Sequence, residues 1–158
     1  MRKISISPIT RLEGHGKIEI FLNDDGNVSR AYLQVPEMRG FEKFCEGRPA
    51  EEMARITPRI SGVCPSAHHI ASAKALDDLY DVEPTLTAKL IRELLYSAFM
   101  FEDHILHFFF LGGPDFIVGP QADKGARNIL GVIDKVGLEA GKKVIDIRKK
   151  CRNIISTL

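Results

Sequence analysis

An α+β fold, with a small N-terminal antiparallel sheet followed by a predominantly helical bundle, is predicted by three observations. Polar and apolar residues alternate only in the first third of the chain. Helix-opening and helix-closing signals dominate the remainder. The strands come first and the helices afterwards, which indicates α+β rather than an alternating α/β order.

Lys3 to Ile9 and Gly16 to Leu22 alternate as half-buried strands do, and Val28 to Val35 repeats the pattern after Asn23-Asp24-Asp25-Gly26-Asn27, a strong turn signal. The last two runs form a hairpin, Lys3 to Ile9 is a third strand, and Pro36 closes the sheet region. Phe41 to Glu46 reads as a short helix. Pro49-Ala50-Glu51-Glu52 opens another, with proline at an early position and acids in the first turn. Arg59 to Ser66 is a loop punctuated by glycine and proline, and Ala67 to Tyr80 is a helix. A long helix starts at Pro84. Its Leu86, Leu90, Leu94, Tyr96, Ala98, Phe101, Ile105 and Phe108 cover more than one face, as expected inside a bundle or under a partner. Gly112-Gly113-Pro114 is expected to end it. Ala126 to Val136 and Leu138 to Ile155 complete the series. Residues 1–36 are thus a sheet region and residues 37–158 a helical region, read together as one structural unit.

The 158 residues can bury a real core. A formal net charge of +1 gives no electrostatic case for nucleic acid or an anionic membrane. Three cysteines, an odd number, do not suggest a secreted disulfide framework, so reduced thiols in a cytoplasmic setting are expected. The N-terminus has no apolar core of signal-peptide length. Leu94 to Leu111 is the most apolar stretch. It carries Glu102, Asp103, His104 and His107, which would be costly in lipid, so a buried helix is expected rather than a membrane span.

The stretch with most chemical content is Arg59-Ile60-Ser61-Gly62-Val63-Cys64-Pro65-Ser66-Ala67-His68-His69. A cysteine followed four residues later by histidine is in most proteins a buried thiol and an ordinary polar residue. Here Cys64 ends a glycine-punctuated loop just before a helix. Backbone N–H groups at such a start favour the thiolate, the form that binds soft metals. His68, one turn on, is placed to hydrogen-bond the sulfur. His104 and His107, three apart in an apolar helix, read as core or interface residues rather than ligands. Phe108-Phe109-Phe110 reads as packing or a partner surface. The basic face at Lys142, Lys143, Arg148, Lys149, Lys150 and Arg152 reads as solvated, with docking of an acidic partner as the alternative. Cys45 and Cys151 read as inert thiols.

This stretch resembles the first metal-binding motif of nickel–iron hydrogenase large (alpha) subunits, Arg-x-Cys-Gly-x-Cys-x-x-x-His, except that Ser61 replaces the first cysteine. Three further segments match in order. Arg11-Leu12-Glu13-Gly14-His15 resembles the family's N-terminal Arg-x-Glu-Gly-His followed by a strand. Met38-Arg39-Gly40-Phe41-Glu42 is similar to its Arg-Gly-hydrophobic-Glu segment. His104-Ile105-Leu106-His107-Phe108-Phe109 resembles a helix of the cytoplasmic branch, whose members are coupled to nicotinamide, deazaflavin or heterodisulfide partners.

The resemblance implies that Cys64 bridges nickel and iron and that Ser61 stands where a terminal nickel thiolate belongs. It implies that Glu13 passes protons to that neighbouring position, that His68 supports the bridging sulfur and that Arg59 pairs locally with a carboxylate. Glu42 matches a carboxylate of a separate magnesium or iron site. A serine hydroxyl is a hard donor, whereas nickel here takes soft thiolates. The family's second cysteine pair, in Asp-Pro-Cys-x-x-Cys, is missing before Leu158. The implied nickel–iron centre is therefore expected to be absent or incomplete, and the isolated chain inactive.

Three functions follow as expectations. The first is a truncated or split hydrogenase large subunit, contributing half of a dihydrogen-oxidising and proton-reducing site to a multi-subunit oxidoreductase. Its partners would be an iron–sulfur small subunit, the C-terminal half of a large subunit, or a second copy, with no nucleic acid and no membrane insertion. The second is a degenerate, non-catalytic scaffold that docks an iron–sulfur electron-transfer subunit. The third is a relative of the quinone-binding subunit of respiratory complex I, disfavoured by the retention of Cys64, Glu13 and His15.

Overall fold

The computed structural model describes residues 2–37 and 39–158. Met1 and Met38, the latter opening the third matching segment, lie outside the described residues. The chain divides into two compact units, Met1–Gly40 and Phe41–Leu158.

The first unit is a three-stranded antiparallel sheet of β1 (Arg2–Ile6), β2 (Lys17–Leu22) and β3 (Val28–Gln34), with β2 in the centre. The register pairs Ile4 with Ile20 and Ile6 with Ile18 on one side, and Ile18 with Leu33 and Ile20 with Ala31 on the other. Because side chains alternate across a strand, this collects the aliphatic residues on one face. On the opposite face Glu19 Oε1 accepts from Lys3 Nζ at 3.1 Å and lies 2.8 Å from Lys17 Nζ. Bonding to these ammonium groups, Lys17 first, holds the Glu19 carboxyl below its ordinary range. Phe21 meets Tyr32 edge-on across the β2–β3 pair at 5.9 Å, next to a bulge at Phe21/Leu22. β1 is shorter than the expected Lys3–Ile9 run: it ends at Ile6, before Pro8, a residue with no N–H to give the ladder.

The second unit is helical. It comprises α1 (Phe41–Cys45), a 3₁₀ turn (Ala50–Glu52), α2 (Met53–Ile56), a second 3₁₀ turn (Thr57–Arg59), α3 (Pro65–Leu79), α4 (Leu86–Leu106), α5 (Ile129–Val136) and α6 (Leu138–Thr157). Thr85 caps α4, its hydroxyl accepting from the Ala88 N–H at 3.2 Å. Asn128 caps α5 by accepting from Leu130 and Gly131. This cap puts the start of α5 at Ile129, three residues later than the pattern from Ala126 suggests.

Gly112-Gly113-Pro114 does not end the long helix. The chain stays wound, as two π-helical segments at His107–Gly112 and Pro114–Val118. Gly113 donates to the Phe108 carbonyl, a spacing of five. Pro114 has no N–H, and in a regular α-turn its ring would strike the carbonyl four residues back; the wider turn accommodates it. Gly113 also permits a close approach of α5. A Cβ there would lie 3.1 Å from Phe108 O and 3.2 Å from Cγ2 of the fully buried Val132. A Cβ at Gly131 would fall on the carbonyl oxygen of Ala126.

α4 packs against α3 and α6. Its buried residues are Phe99 and Glu102, and Glu102 meets α6. Glu102 Oε1 accepts from Arg148 Nη2 at 2.8 Å and Nε at 3.2 Å, and from Arg152 Nε at 3.0 Å. Two arginines of the basic face expected to be solvated are thus turned onto an internal carboxylate. Against α3, Arg92 grips Asp77 through both terminal guanidinium nitrogens, one to each carboxylate oxygen. By length and composition Leu86–Gly112 is apolar enough to cross a membrane, but it carries Glu102 and Asp103 in its second half.

Candidate functional site

Glu13 sits in the first unit, on the loop between β1 and β2. Arg11 (φ 61°) and Gly14 (φ 81°) both take the left-handed backbone region, which bends the loop back on itself. Gly16 closes the base: Ile9 N–H donates to Gly16 O at 2.9 Å, and a Cβ on Gly16 would lie 2.7 Å from Leu12 Cδ2 and 2.9 Å from Ile9 Cδ1. The loop therefore folds Leu12 over Gly16 and leaves the Glu13 carboxylate exposed between its two tightest bends. His15 Nδ1 is hydrogen-bonded to Glu37 Oε1, tying the chain that leaves β3 to the same loop.

Ser61, Cys64, His68, Arg59 and Glu42 belong to the second unit. The 3₁₀ turn Thr57–Arg59 hands the chain to a tight loop in which the Ser61 hydroxyl accepts from the N–H groups of Val63 and Cys64, each at 3.3 Å. This is the local backbone bonding that serine favours in turns. Cys64 is the N-cap residue of α3, Pro65 fills its first turn, and the Cys64 carbonyl accepts from Ala67 and His68. The loop thereby brings the two motif side chains together. Cys64 Sγ–H donates to Ser61 Oγ at 3.2 Å, and both residues are half-buried.

The base of the loop is held by residues that the motif does not contain. Thr57 Oγ1 donates to the His68 carbonyl at 3.3 Å and lies 2.5 Å from Ser72 Oγ, which is buried inside α3. His69 Nδ1 is bonded to Ala54 O at 2.8 Å, fastening α2 to α3. Thr57 and Ser72 are 15 residues apart, so no spacing rule joins them; a Thr-Pro turn just before the motif was the only visible sign.

The other expected positions do not converge on Cys64. The His68 ring is half-buried and makes no hydrogen bond among the described residues. Its backbone N–H, not its ring, is bonded to Cys64, so the expected ring-to-sulfur bond is not made. Arg59 is exposed and forms no ion pair among the described residues, contrary to the expected local carboxylate. Glu42 lies exposed in the first turn of α1. His104 Nδ1 bonds the Met100 carbonyl of its own helix at 2.7 Å, and His107 opens the π-helical stretch. Cys45 is half-buried and Cys151 buried, both as free thiols. A cavity of about 840 Å³ between α3 and α4 is lined by residues from Ala67 to Tyr96 and leaves out Ser61, Cys64 and His68.

The donor set decides what this site can hold. Cys64 and Ser61 offer one thiol and one hydroxyl on a common edge. Among the described residues no group of three or more histidine, cysteine, aspartate or glutamate side chains comes together. Soft transition metals take three or four thiolate or imidazole donors. One thiol and one hydroxyl do not fit a complete nickel–iron centre.

Comparison with known proteins follows the same residues. Residues 39–156 match the family described as nickel-dependent hydrogenase, and residues 3–38 match one described as HoxL-like. The iron-sulfur subunit of the F420-non-reducing hydrogenase of Archaeoglobus profundus is 51% identical over 158 residues, covering 100% of this chain and 32% of that protein. The vhu subunit of the F420-non-reducing hydrogenase of Methanocaldococcus jannaschii is 48% identical, covering 100% of this chain and 38% of that protein. The crystal structure of an NAD+-reducing [NiFe]-hydrogenase in the H2-reduced state superposes with a TM-score of 0.82 at 40% identity, over 98% of this chain and 34% of that one. The chain spans about a third of the length of the curated relatives it matches.

Proposed function

The chain belongs to the nickel-dependent hydrogenase family, and from that premise we propose that it supplies the N-terminal part of a truncated or split large subunit to a multi-subunit hydrogenase-type oxidoreductase, the rest of the metal site coming from outside these 158 residues. The observation that carries this reading is the 3.2 Å pairing of Ser61 and Cys64 at the start of α3. The loop that starts α3 sets the two motif positions side by side.

In this reading Cys64 supplies a thiolate ligand and Ser61 the hydroxyl beside it. Glu13, exposed at a loop tip, holds and releases a proton, the role that the resemblance of its segment implies. Arg59 and His68 line the motif loop, and Glu42 takes part in a separate magnesium site. Nickel and iron, when bound, would supply Lewis-acid and hydride chemistry to dihydrogen. Because one thiol and one hydroxyl do not complete the centre, no metal-borne step is assigned to this chain. Electrons would pass to an iron–sulfur subunit in the cytoplasm; several relatives carry names of F420-non-reducing and NAD-reducing hydrogenases.

A second reading, a non-catalytic scaffold that docks an iron–sulfur subunit, is favoured by one specific observation. The Ser61 oxygen already accepts from two backbone N–H groups and the Cys64 thiol, so the chain's own donors hold the loop closed. Native mass spectrometry of the complex isolated gently from its source, with nickel and iron quantified, separates the two. Nickel together with a second chain bearing the missing cysteines supports the completed site. An iron–sulfur partner without nickel overturns it in favour of the scaffold.

A further inference from the structure

The arginines of α6 are not used up by the carboxylate they share. Glu102 presents one oxygen to Arg148 and Arg152, and its side chain is 9% exposed, against 22% for Arg148 and 66% for Arg152. The three groups together carry one excess positive charge, and the unused N–H groups of Arg152 face solvent. Beside them a cavity of about 420 Å³ is lined by Ile145, Arg148, Lys149, Arg152 and Asn153. Lys149 adds a second positive charge and makes no ion pair among the described residues.

The helix cannot neutralise this cavity from its own sequence. Its two acids, Glu139 and Asp146, are each bonded to a lysine one turn on, Lys142 and Lys150, both at 2.8 Å. That leaves three cations and an amide among the residues that line the recess, with no carboxylate among them. Guanidinium groups are strong carboxylate donors, and Arg152 gives Glu102 only its Nε–H.

We propose that this face of α6 receives a carboxylate side chain from an acidic segment of a partner polypeptide, held between Arg152, Lys149 and the Asn153 amide. The site is separate from Ser61 and Cys64 and does not depend on any metal. Ile145, 67% exposed at the rim, gives the incoming segment an apolar shoulder.

The test is fluorescence anisotropy of a labelled hexaglutamate peptide titrated with the full chain at low salt. Binding is expected, and Lys149→Gln or Arg152→Gln should weaken it on the order of tenfold, the loss of one charge-assisted hydrogen bond. Lys142→Gln and Lys150→Gln make the same change in net charge on the paired flank and should leave affinity within about twofold if local geometry rather than diffuse attraction binds the peptide. Absence of binding overturns the proposal, and so does equal weakening in all four variants. Inorganic phosphate that displaces the peptide stoichiometrically at equal affinity also overturns it, in favour of a small-anion site. Both informative substitutions remove exposed side-chain ends, and Arg148, the more buried partner of Glu102, is left in place to hold α6.

Discussion

Ser61 differs from the cysteine that the motif implies by a single atom, oxygen for sulfur, and the surrounding loop closes around the hydroxyl. Ser61→Cys supplies a soft donor beside Cys64. With a second polypeptide carrying the remaining cysteines, nickel affinity should rise by at least about tenfold, as expected for a recovered soft donor. Nickel per chain, quantified after gel filtration, checks this; unchanged occupancy would mean that the edge no longer belongs to a metal site. Glu13→Gln tests the other proposed role. In the reconstituted complex it should slow hydrogen–proton exchange by roughly a hundredfold, the usual weight of a positioned acid–base group, while the metals stay bound. Exchange at the parental rate would remove Glu13 from the proton route. The resemblance singled out the motif loop, and the structure brings Ser61 and Cys64 together within it. The Thr57–Ser72 bond beneath them was not, since it depends on how a 3₁₀ turn leans on α3.

Between elements, side-chain pairs set how the helices of the second unit lie. Glu102→Gln leaves Arg148 without its counter-charge at the α4–α6 contact and should cost about 2 kcal/mol. That is less than a fully buried pair loses, because Arg152 is largely in water. Urea unfolding of both proteins reads this directly. Asp77 works the same joint on the α3 side. Its bond to Arg92 holds its carboxyl below the usual aspartate range. A folded-state value below the unfolded one gives stability that is present above about pH 4 and lost as the pH falls through the lower folded value. Thermal melts should therefore separate Asp77→Asn from the parent near neutral pH and converge on acidification; a gap that persists at about pH 2 would assign the effect to packing. Strand positions and the helices α3, α4 and α6 were readable from periodicity and caps. The Glu102 network was not, because its partners lie 46 and 50 residues away. It also changes the meaning of the basic run on α6, which reads in sequence as a uniform solvated face.

Over the whole chain, apolar side chains outnumber the places to bury them. Leu86, Leu90, Leu94 and Phe101 follow one another along one side of α4, and Leu86 is 73% exposed and Phe101 56%. Patches of this kind mark interaction surfaces. The isolated chain should self-associate and bind an apolar dye, and both should fall when a completing polypeptide is co-expressed. Sedimentation velocity with and without that polypeptide measures this. A dye-free monomer in isolation would show that these residues are tolerated in water. Sequence anticipated the surface, through a helix apolar nearly all round, but composition cannot name what covers it.

The widened winding after Leu106 has a practical consequence for anyone placing probes on this protein. Each π-helical turn takes up about one residue more than an α-turn, so the 3.6-residue count that aligns Leu86 with Phe101 loses phase beyond His107. Spin labels or cross-linkers sited on a helical wheel would be correctly aimed up to that residue and rotated off target at Phe110 and Phe116. Distances measured from those two positions are thus a ruler for the winding itself, and they can distinguish a broad turn from a broken helix without reference to any bound metal.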